Sequence, residues 1–532
     1  MTQQERHSRD GYFVAGEGLL GAPSPAPGVA VAMSMENELR AFRFSRIGPK
    51  AVRQLGEPGR RALARAMTID ADQPARDSAI PAGFTYLGQF LDHDLTFDKS
   101  ALADDATVPV ADLVQGRSPS LDLDSLYGLG PGLTPEFYAA DKAHLKTGAT
   151  VKADFPTDGI ADKHHAGFDL PRRTNRKARI PDVRNDENLV VAQTHAAFIR
   201  FHNRVVDTLK ADGVPAADLF AKARETVVRH YQWMIRSDFL PRVVKPQLVT
   251  DVFTNGRKVF EVAPAPGDAP TMPVEFSVAA YRLGHSMVRG AYNWNHVFDD
   301  GGGSLDLLFE FSGTSGGLGG DPKLPSNWIA DFRRLYDFTE AGRNNLRPIV
   351  GGRNKRNFAR RIDTLLTDVL AFLPDGSIGG PDPKAIRHNL AFRNLTRAHM
   401  LKLATGQQMV ALMRGRGVTL TALTAKQILD GNKGAKLSGL NANQRAAVVR
   451  DTPLWFYVLR EAEFNAGRLA AVGGRLVAET FHRAIEGSAI SILSDPGWRP
   501  TLGPDTSTFR MVDLLLFAFE GKATLLNPLG NG

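Results

Sequence analysis

The densest group of chemically capable side chains lies in the segment GFTYLGQFLDHDLTF, residues 83–97. His93 stands there between Asp92 and Asp94, and an imidazole can accept and return a proton near neutral pH. Gln89 precedes it by four residues, which on a helix sets the two side chains on one face about 6 Å apart. Asp94 points about 100° away, toward different company. The helical reading rests on two stripes. Phe84, Leu87, Leu91 and Leu95 form an apolar one, and Thr85, Gln89, Asp92, His93 and Thr96 a polar one at the same spacing. A helix this apolar is buried, so its polar stripe needs partners; each unpaired group costs roughly 1–3 kcal/mol. A cofactor with polar edges would supply them. The plain alternative is a core histidine satisfied by its neighbours, and three consecutive ionisable groups on a buried helix weigh against it.

A second cluster is SPSLDLDSLYG, residues 118–128. Ser118, Ser120, Asp122 and Asp124 alternate with apolar or small residues and present oxygen atoms on one side of an extended loop. Hydroxyls, carbonyls and two carboxylates form a hard, all-oxygen set suited to Ca²⁺. The spacing is not that of an EF-hand, and a turn capping its own backbone is the alternative.

The elements that position these groups read as mainly helical. Periodicity predicts helices within 36–70, 83–97, 186–210, 215–246, 275–290, 355–373, 384–403, 407–415, 443–450 and 468–493. The clearest strand-like run is Lys258–Val262, and 311–320 is a Gly-rich loop. Residues 1–35 read as a flexible N-terminal arm and 36–532 as one large, mainly α domain with long loops and few short strands. The 532 residues include no cysteine, which excludes disulfides, zinc thiolates, iron–sulfur clusters and thiolate-ligated haem. Sixty-five Lys and Arg against 57 Asp and Glu give a net charge of +8, mild over this length and consistent with a solvated basic surface. The basic stretches 172–179 and 353–361 carry at most one aromatic residue, so no nucleic-acid partner is expected. No run of about 18 apolar residues predicts a membrane span. The N-terminus lacks an apolar signal core, which leaves the cytoplasm as the default location.

Taken in order, LGQFLDHDLTFD, SPSLDLDSLYG, PDVRNDENL, FIRFHNRV and AYRLGHSMV resemble the animal-type haem peroxidases of the peroxidase–cyclooxygenase superfamily. The resemblance spans roughly Phe84 to Leu403 and implies a single helical haem-peroxidase domain. It makes His93 the distal histidine, Gln89 the distal glutamine and Arg184 the distal arginine. His285 becomes the proximal ligand of the iron of haem b, Asn394 the acceptor of a hydrogen bond from that imidazole, and Arg397 a haem-propionate partner. Asp92 and Glu187 match the carboxylates that esterify haem methyl groups. Asn188 occupies the next position, so no sulfonium link can form. Asp94, Ser118, Ser120, Asp122 and Asp124 match a calcium site, with Asp124 where the animal sequences usually place serine.

The implied activity is reduction of hydrogen peroxide through a ferryl porphyrin radical, with oxidation of small aromatic donors, halides or thiocyanate. Two alternatives stand beside it. A fatty-acid dioxygenase of the same superfamily would carry a radical-forming Tyr three residues before the proximal histidine; this chain has Arg282 there and Tyr281 one position earlier. A haem-free adhesive or scaffold protein would not need His93, Arg184 and His285 together. His195 and His202, seven apart on the helix after Arg184, read as core residues, His202-Asn203-Arg204 as a packing motif.

Overall fold

The structure, a computed structural model, describes residues 12–14, 18–20, 42–69, 76–100, 107–153, 169–265, 267–313, 318–350, 353–354, 356–372 and 386–530. Helices dominate, as the periodicity predicts: α1 (Glu57–Met67), α2 (Gly83–Leu95), α3 (Leu189–Ala211), α4 (Leu219–Met234), α5 (Gly284–Met287), α6 (Leu390–Met400), α7 (Leu454–Glu463), α8 (Ala471–Glu486) and α9 (Met511–Ala518). The strands are short and pair two by two. Among them β1 (Asp77–Pro81) leads into α2 and pairs antiparallel with β2 (Phe358–Arg360).

The apolar stripe of α2 is what fixes it in place. Leu87, Phe90, Leu91 and Leu95 are fully buried. The Phe90 ring stacks on Phe198 of α3 at 4.5 Å between centroids, and Tyr231 of α4 meets both edge-on. At the start of α2 only glycine fits. A Cβ on Gly83 would stand 2.3 Å from the Tyr336 ring, whose hydroxyl donates to the Gly83 carbonyl at 3.0 Å. Around this centre α4 and α9 flank α3, α6 packs between α1 and α7, and α7 on α8. The short helix α5 packs against both α2 and β2. One continuous apolar core results, running from Phe44 to Leu526.

Several predicted elements fold differently. Residues 258–262 form successive bends, because the backbone N–H groups of Lys258, Val259 and Phe260 all converge on the Glu479 carboxylate instead of a neighbouring strand. The predicted helix 355–373 contains β2 and a second short strand, Leu366–Thr367, since pairing with β1 and with Thr68–Ile69 claims its backbone. The helix predicted over 275–290 is broken at Ala279 (φ −133°, ψ −75°) into short pieces ending in α5. Arg282 Nε donates to Ser277 O at 3.1 Å, taking a carbonyl that a continuous helix would use for itself. Of 42–69, only α1 is helical, opened by Pro58 in its first turn. Within the predicted N-terminal arm a two-stranded pairing joins Tyr12–Val14 to Gly18–Leu20, and the rest of that arm lies outside the described residues. Among the described residues no helix is long and apolar enough to cross a membrane.

His230 ties the C-terminal region to α4. Its Nδ1–H donates to Thr226 O at 2.7 Å, and its Nε2 accepts the backbone N–H groups of Thr501 and Leu502 at 2.9 and 3.1 Å. Burial pushes its pKa down to about 4. A histidine whose folded pKa lies below its unfolded value stabilises the fold fully above about pH 6.5 and loses that contribution as pH falls toward 4, at about 1.4 kcal/mol per pH unit. His230→Gln is therefore expected to cost about 1–3 kcal/mol at pH 7.5 and to lose stability less steeply than wild type between pH 6.5 and 4. Urea titrations across that range check it, and parallel pH slopes for the two proteins would refute it.

Candidate active site

The polar stripe of α2 finds its partners on the segment 182–188 and the first turns of α3. His93 is fully buried. Its Nδ1 lies 2.8 Å from Asn185 Oδ1, which makes Nδ1 the protonated nitrogen. Its Nε2 has no hydrogen-bond partner, and the nearest carboxylate oxygen, Glu187 Oε1, is 3.5 Å away. Gln89 donates to that same Glu187 oxygen and accepts from Asn188 Nδ2 at 3.0 Å. Asn188 also caps α3, its Oδ1 receiving Val191 N–H. Gln89, His93, Asn185, Glu187 and Asn188 thus form one constellation, although 92 residues or more separate its two halves along the chain.

Arg184 is held more firmly than its sequence reading implied. Asp182 accepts from its Nε, a terminal nitrogen and its backbone N–H, and the guanidinium also donates to His93 O at 3.0 Å. The Phe97 ring covers it at 4.2 Å. Asp182 takes a second guanidinium, Arg117, at 2.8 Å. These two cations hold the Asp182 carboxyl far below the usual range despite its burial. Arg184 therefore clamps the last turn of α2 with a charge shared with Asp182.

The opposite side is built by α5 and α6. Asn394 of α6 reaches His285 with Nδ2 to Nδ1 at 2.8 Å, while its Oδ1 accepts from Arg282. This corrects the expectation that the amide oxygen accepts from the imidazole. A guanidinium is the stronger claimant for that oxygen, so the amide presents its N–H to the ring. Trp455 stands edge-on to His285 at 6.4 Å. A Cβ on Gly284 would meet nothing within 4 Å, so the backbone beside His285 borders open space. The two sides meet where α5 packs against α2 and the Tyr281 hydroxyl donates to Gly88 O at 3.1 Å. Asp92, on the polar stripe of α2, accepts the Thr96 hydroxyl at 3.2 Å. Burial raises its pKa, and the charges of His93, Arg184 and Arg282 all act to lower it. Arg397 pairs with Asp98, just beyond α2.

Asp94 faces away from His93, as the helical geometry predicts. Its carboxylate accepts Leu123 N–H, the Ser125 N–H and hydroxyl, and the Tyr231 hydroxyl at 3.0–3.3 Å. Burial, reinforced by the nearby Asp124 charge, pushes its pKa up to about 6. Ser118, Ser120, Asp122 and Asp124 are all buried, and the Ser120 hydroxyl donates to Gly487 O. Among the described residues no three His, Asp or Glu side chains gather as a ready metal site. His202 is a packing residue, bonded to Ala143 O and the Tyr127 hydroxyl. The sequence reading overlooked Asp182, Asn185, the bond of Arg282 to Asn394 and the contact of His195 with Asn185; Asp182 and Asn185 sit within two residues of Arg184, and that proximity was their only signal.

Residues 95–307 match the animal haem peroxidase family. That span includes Arg184, Glu187, His285 and the Ser118–Asp124 loop, and it begins two residues past His93. A peroxidase-like protein of Margaritifera margaritifera is 35% identical over 121 residues, 22% of this chain and 15% of that protein. A chorion peroxidase of Aedes aegypti is 27% identical over 190 residues, covering 33% of this chain and 22% of that one. The aligned parts thus span under a quarter of these relatives' length. By structure the chain is similar to peroxidase A of Dictyostelium discoideum, at TM-score 0.51 and 15% identity, over 85% of this chain and 87% of that one. It is also similar to a fatty acid alpha-dioxygenase of Arabidopsis thaliana, at TM-score 0.53 and 13% identity, over 90% and 75%.

Removing the Asp182 charge leaves two buried guanidiniums without their shared carboxylate. Asp182→Asn is expected to cost about 3–5 kcal/mol of stability, measured by denaturant unfolding; a loss below about 1 kcal/mol, the range of an exposed ion pair, would refute the clamp.

Proposed function

Because residues 95–307 match the animal haem peroxidase family, we propose that the chain is a member of it and binds haem b between His93 and His285. There it reduces hydrogen peroxide at the expense of small aromatic donors, halides or thiocyanate. The observation that carries this reading is His93 Nε2: a buried lone pair with no partner, on a ring whose other nitrogen is held by Asn185. An unpaired buried nitrogen is costly, and a ligand at that face supplies what it lacks. The residues present fit the cofactor: an imidazole on each side, open space beside Gly284, and the Asp92 carboxylate on the helix that carries His93.

When bound, the haem iron supplies an open coordination position and the electrons that reduce peroxide. His93 Nε2 then takes one proton from hydrogen peroxide and returns it to the departing oxygen, which leaves as water. Gln89, fixed by Glu187 and Asn188, borders the space where peroxide must stand. Arg184 fixes the end of α2 beneath His93 and contributes positive potential toward charge developing there. His285 is the iron ligand of this proposal, through Nε2. The amide of Asn394 faces its Nδ1, so the proton on Nε2 must leave or the amide must turn over on ligation, and Arg282 opposes the turn. Asp92 and Glu187 are the carboxylates available for ester links to the haem.

Similarity of fold to alpha-dioxygenases supports a second reading, oxygenation of a fatty acid. Two side chains favour the first. Arg282 stands where that chemistry requires a tyrosine, and the Tyr281 hydroxyl is bonded to the backbone of α2.

We assign calcium to Asp94, Ser118, Ser120, Asp122 and Asp124. Two buried carboxylates, Asp94 and Asp124, repel each other there, and a divalent cation with oxygen ligands relieves that repulsion.

Haem reconstituted into the full-length protein is expected to give a Soret band that His285→Ala abolishes. His93→Gln should keep the band and lower peroxide-dependent oxidation of a phenolic dye by roughly 10²–10⁴-fold. A band unaffected by His285→Ala sinks the ligand assignment, and an unchanged rate in His93→Gln sinks the base. For calcium, adding Ca²⁺ at about 100 times its Kd should raise wild-type stability by roughly 2.7 kcal/mol and leave Asp94→Asn unmoved, with haem retention following. Equal responses of both proteins would place the ion elsewhere.

A further inference from the structure

Behind His93 the hydrogen bonding continues to a residue that no part of the mechanism above uses. Asn185 Oδ1 meets His93 Nδ1 at 2.8 Å, and Asn185 Nδ2 meets His195 Nδ1 at 2.9 Å. One amide therefore bridges two imidazoles, an oxygen to one ring and a nitrogen to the other. His195 is fully buried in the first half of α3, edge-on to Phe90 at 5.7 Å. Its second nitrogen, Nε2, has no hydrogen-bond partner. Leaving a polar atom orphaned in the core is a cost that a plain packing residue, a leucine or phenylalanine, would avoid. The chain retains an imidazole here all the same.

We propose that His195 is a positioning residue: through Asn185 it fixes His93 in the tautomer whose Nε2 is unprotonated. The logic is that of a bridging amide, whose two ends differ. An amide oxygen can only accept and an amide nitrogen can only donate. With its oxygen toward His93, Asn185 requires a proton on His93 Nδ1 and leaves Nε2 as a lone pair. Turned over, it would donate to His93 Nδ1 and force the proton onto Nε2, where it would block proton uptake. What selects between the two is the far end of the amide. His195 Nδ1 offers a lone pair only while the ring is neutral with its proton on Nε2, and burial keeps it so, pushing its pKa down to about 3. The orphaned His195 Nε2 is then an N–H rather than a lone pair, and its cost is the counterpart of a fixed acceptor at Nδ1. His202, by contrast, has both ring nitrogens partnered and serves packing alone.

This inference rests on the reading of His93 as proton acceptor for its purpose, but its test does not depend on peroxidase activity. Side-chain ¹⁵N NMR of histidine-labelled, full-length protein reports which ring nitrogen of His93 carries the proton, with the signal assigned by His93→Gln. The haem-free form and the diamagnetic ferrous–CO form are both suited. Wild type should show His93 protonated at Nδ1. His195→Phe, which keeps the aromatic packing against Phe90 and removes the acceptor, should shift the His93 tautomer ratio at least about fivefold toward Nε2–H, the equivalent of one hydrogen bond. His195→Gln, whose side-chain oxygen can accept from Asn185, should restore it. Asn185→Asp supplies an acceptor at both ends, so in that background His195→Phe should leave the tautomer at Nδ1–H. An unchanged His93 tautomer in His195→Phe would overturn the proposal. So would an equal shift in the Asn185→Asp background, which would mark His195 as a packing residue. A protein that binds no haem yet shows the predicted tautomer pattern would separate failure of the peroxidase reading from failure of this one.

Discussion

Burying α2 with its polar face intact is the constraint on which the rest of this structure depends. A helix in the core satisfies its own backbone, but its side chains and terminal groups must find partners elsewhere. Here they recruit segments from most of the chain. Gly83 O takes the Tyr336 hydroxyl, and Gly88 O takes Tyr281. Gln89 takes Glu187 and Asn188, His93 takes Asn185, and His93 O takes Arg184. Asp94 takes the 123–125 turn and Tyr231, and Leu95 O takes Gln115. These contacts have sequence separations from about twenty to more than two hundred and fifty residues. Loop closures of that length are entropically expensive, and the apolar stacking of Phe90 on Phe198 and Tyr231 provides the burial that offsets them. Two described atoms of the polar stripe lack a hydrogen-bond partner, Thr85 Oγ1 and His93 Nε2, and of these only the imidazole nitrogen can take up and return a proton near neutral pH.

Charge is managed in the same way. The groups around the site are ion-paired in sets of three, with one shared member. Asp182 serves Arg117 and Arg184, and Arg172 serves Asp169 and Asp186. Sharing of this kind lowers the field that any single charge projects into the core, and it fixes each planar guanidinium by more than one bond. It also changes the meaning of Arg184. A lone arginine beside His93 would be a mobile cation; bound to Asp182, to Phe97 and to the α2 carbonyl, it is chiefly a brace. Part of the basic character of the sequence is likewise internal. Arg172 and Arg360, from stretches that look like exposed basic runs, are buried against carboxylates.

How much of this was legible in the sequence depended on whether the information was local. The double stripe of 83–97 has a strong 3.6-residue period, and α2 follows it closely. The order of five motifs was enough to anticipate Gln89, His93 and Glu187 as one set and His285 as the start of another, the Asn-x-x-Arg spacing added Asn394 to the second, and the structure brings each set together. Long-range decisions were not legible. Residues 258–262 have the composition of a strand, yet three of their N–H groups turn to a carboxylate more than two hundred residues away. Residues 358–360 have a helical pattern, and β1 pulls them into a sheet. The orientation of the Asn394 amide could not be foreseen, because it is set by Arg282, whose reach depends on a break in the helical path at Ala279. Asn185 and His195 were hidden for a related reason. Neither is remarkable in type, and their significance lies in a bridge that exists only once α3 is docked against α2.

The fold by itself does not choose a reaction, and the paired similarity to a peroxidase and to an alpha-dioxygenase makes that concrete. The choice falls to a few side chains near His285. A hydroxyl three residues before that histidine and one four residues before it differ by about 100° around a helix, and in this chain the turn there is not even regular. Tyr281 is consequently drawn toward α2, stacking on Phe276 and bonding Gly88 O. Arg282 is drawn the other way, to Asn394. The two residues thus tie the turn before His285 to α2 and α6, and a phenol bonded to a backbone carbonyl and packed among Phe239, Phe276 and Phe481 is a structural anchor. Tyr281 is thereby held away from any free position beside His285, and His93 keeps an imidazole nitrogen with no hydrogen-bond partner.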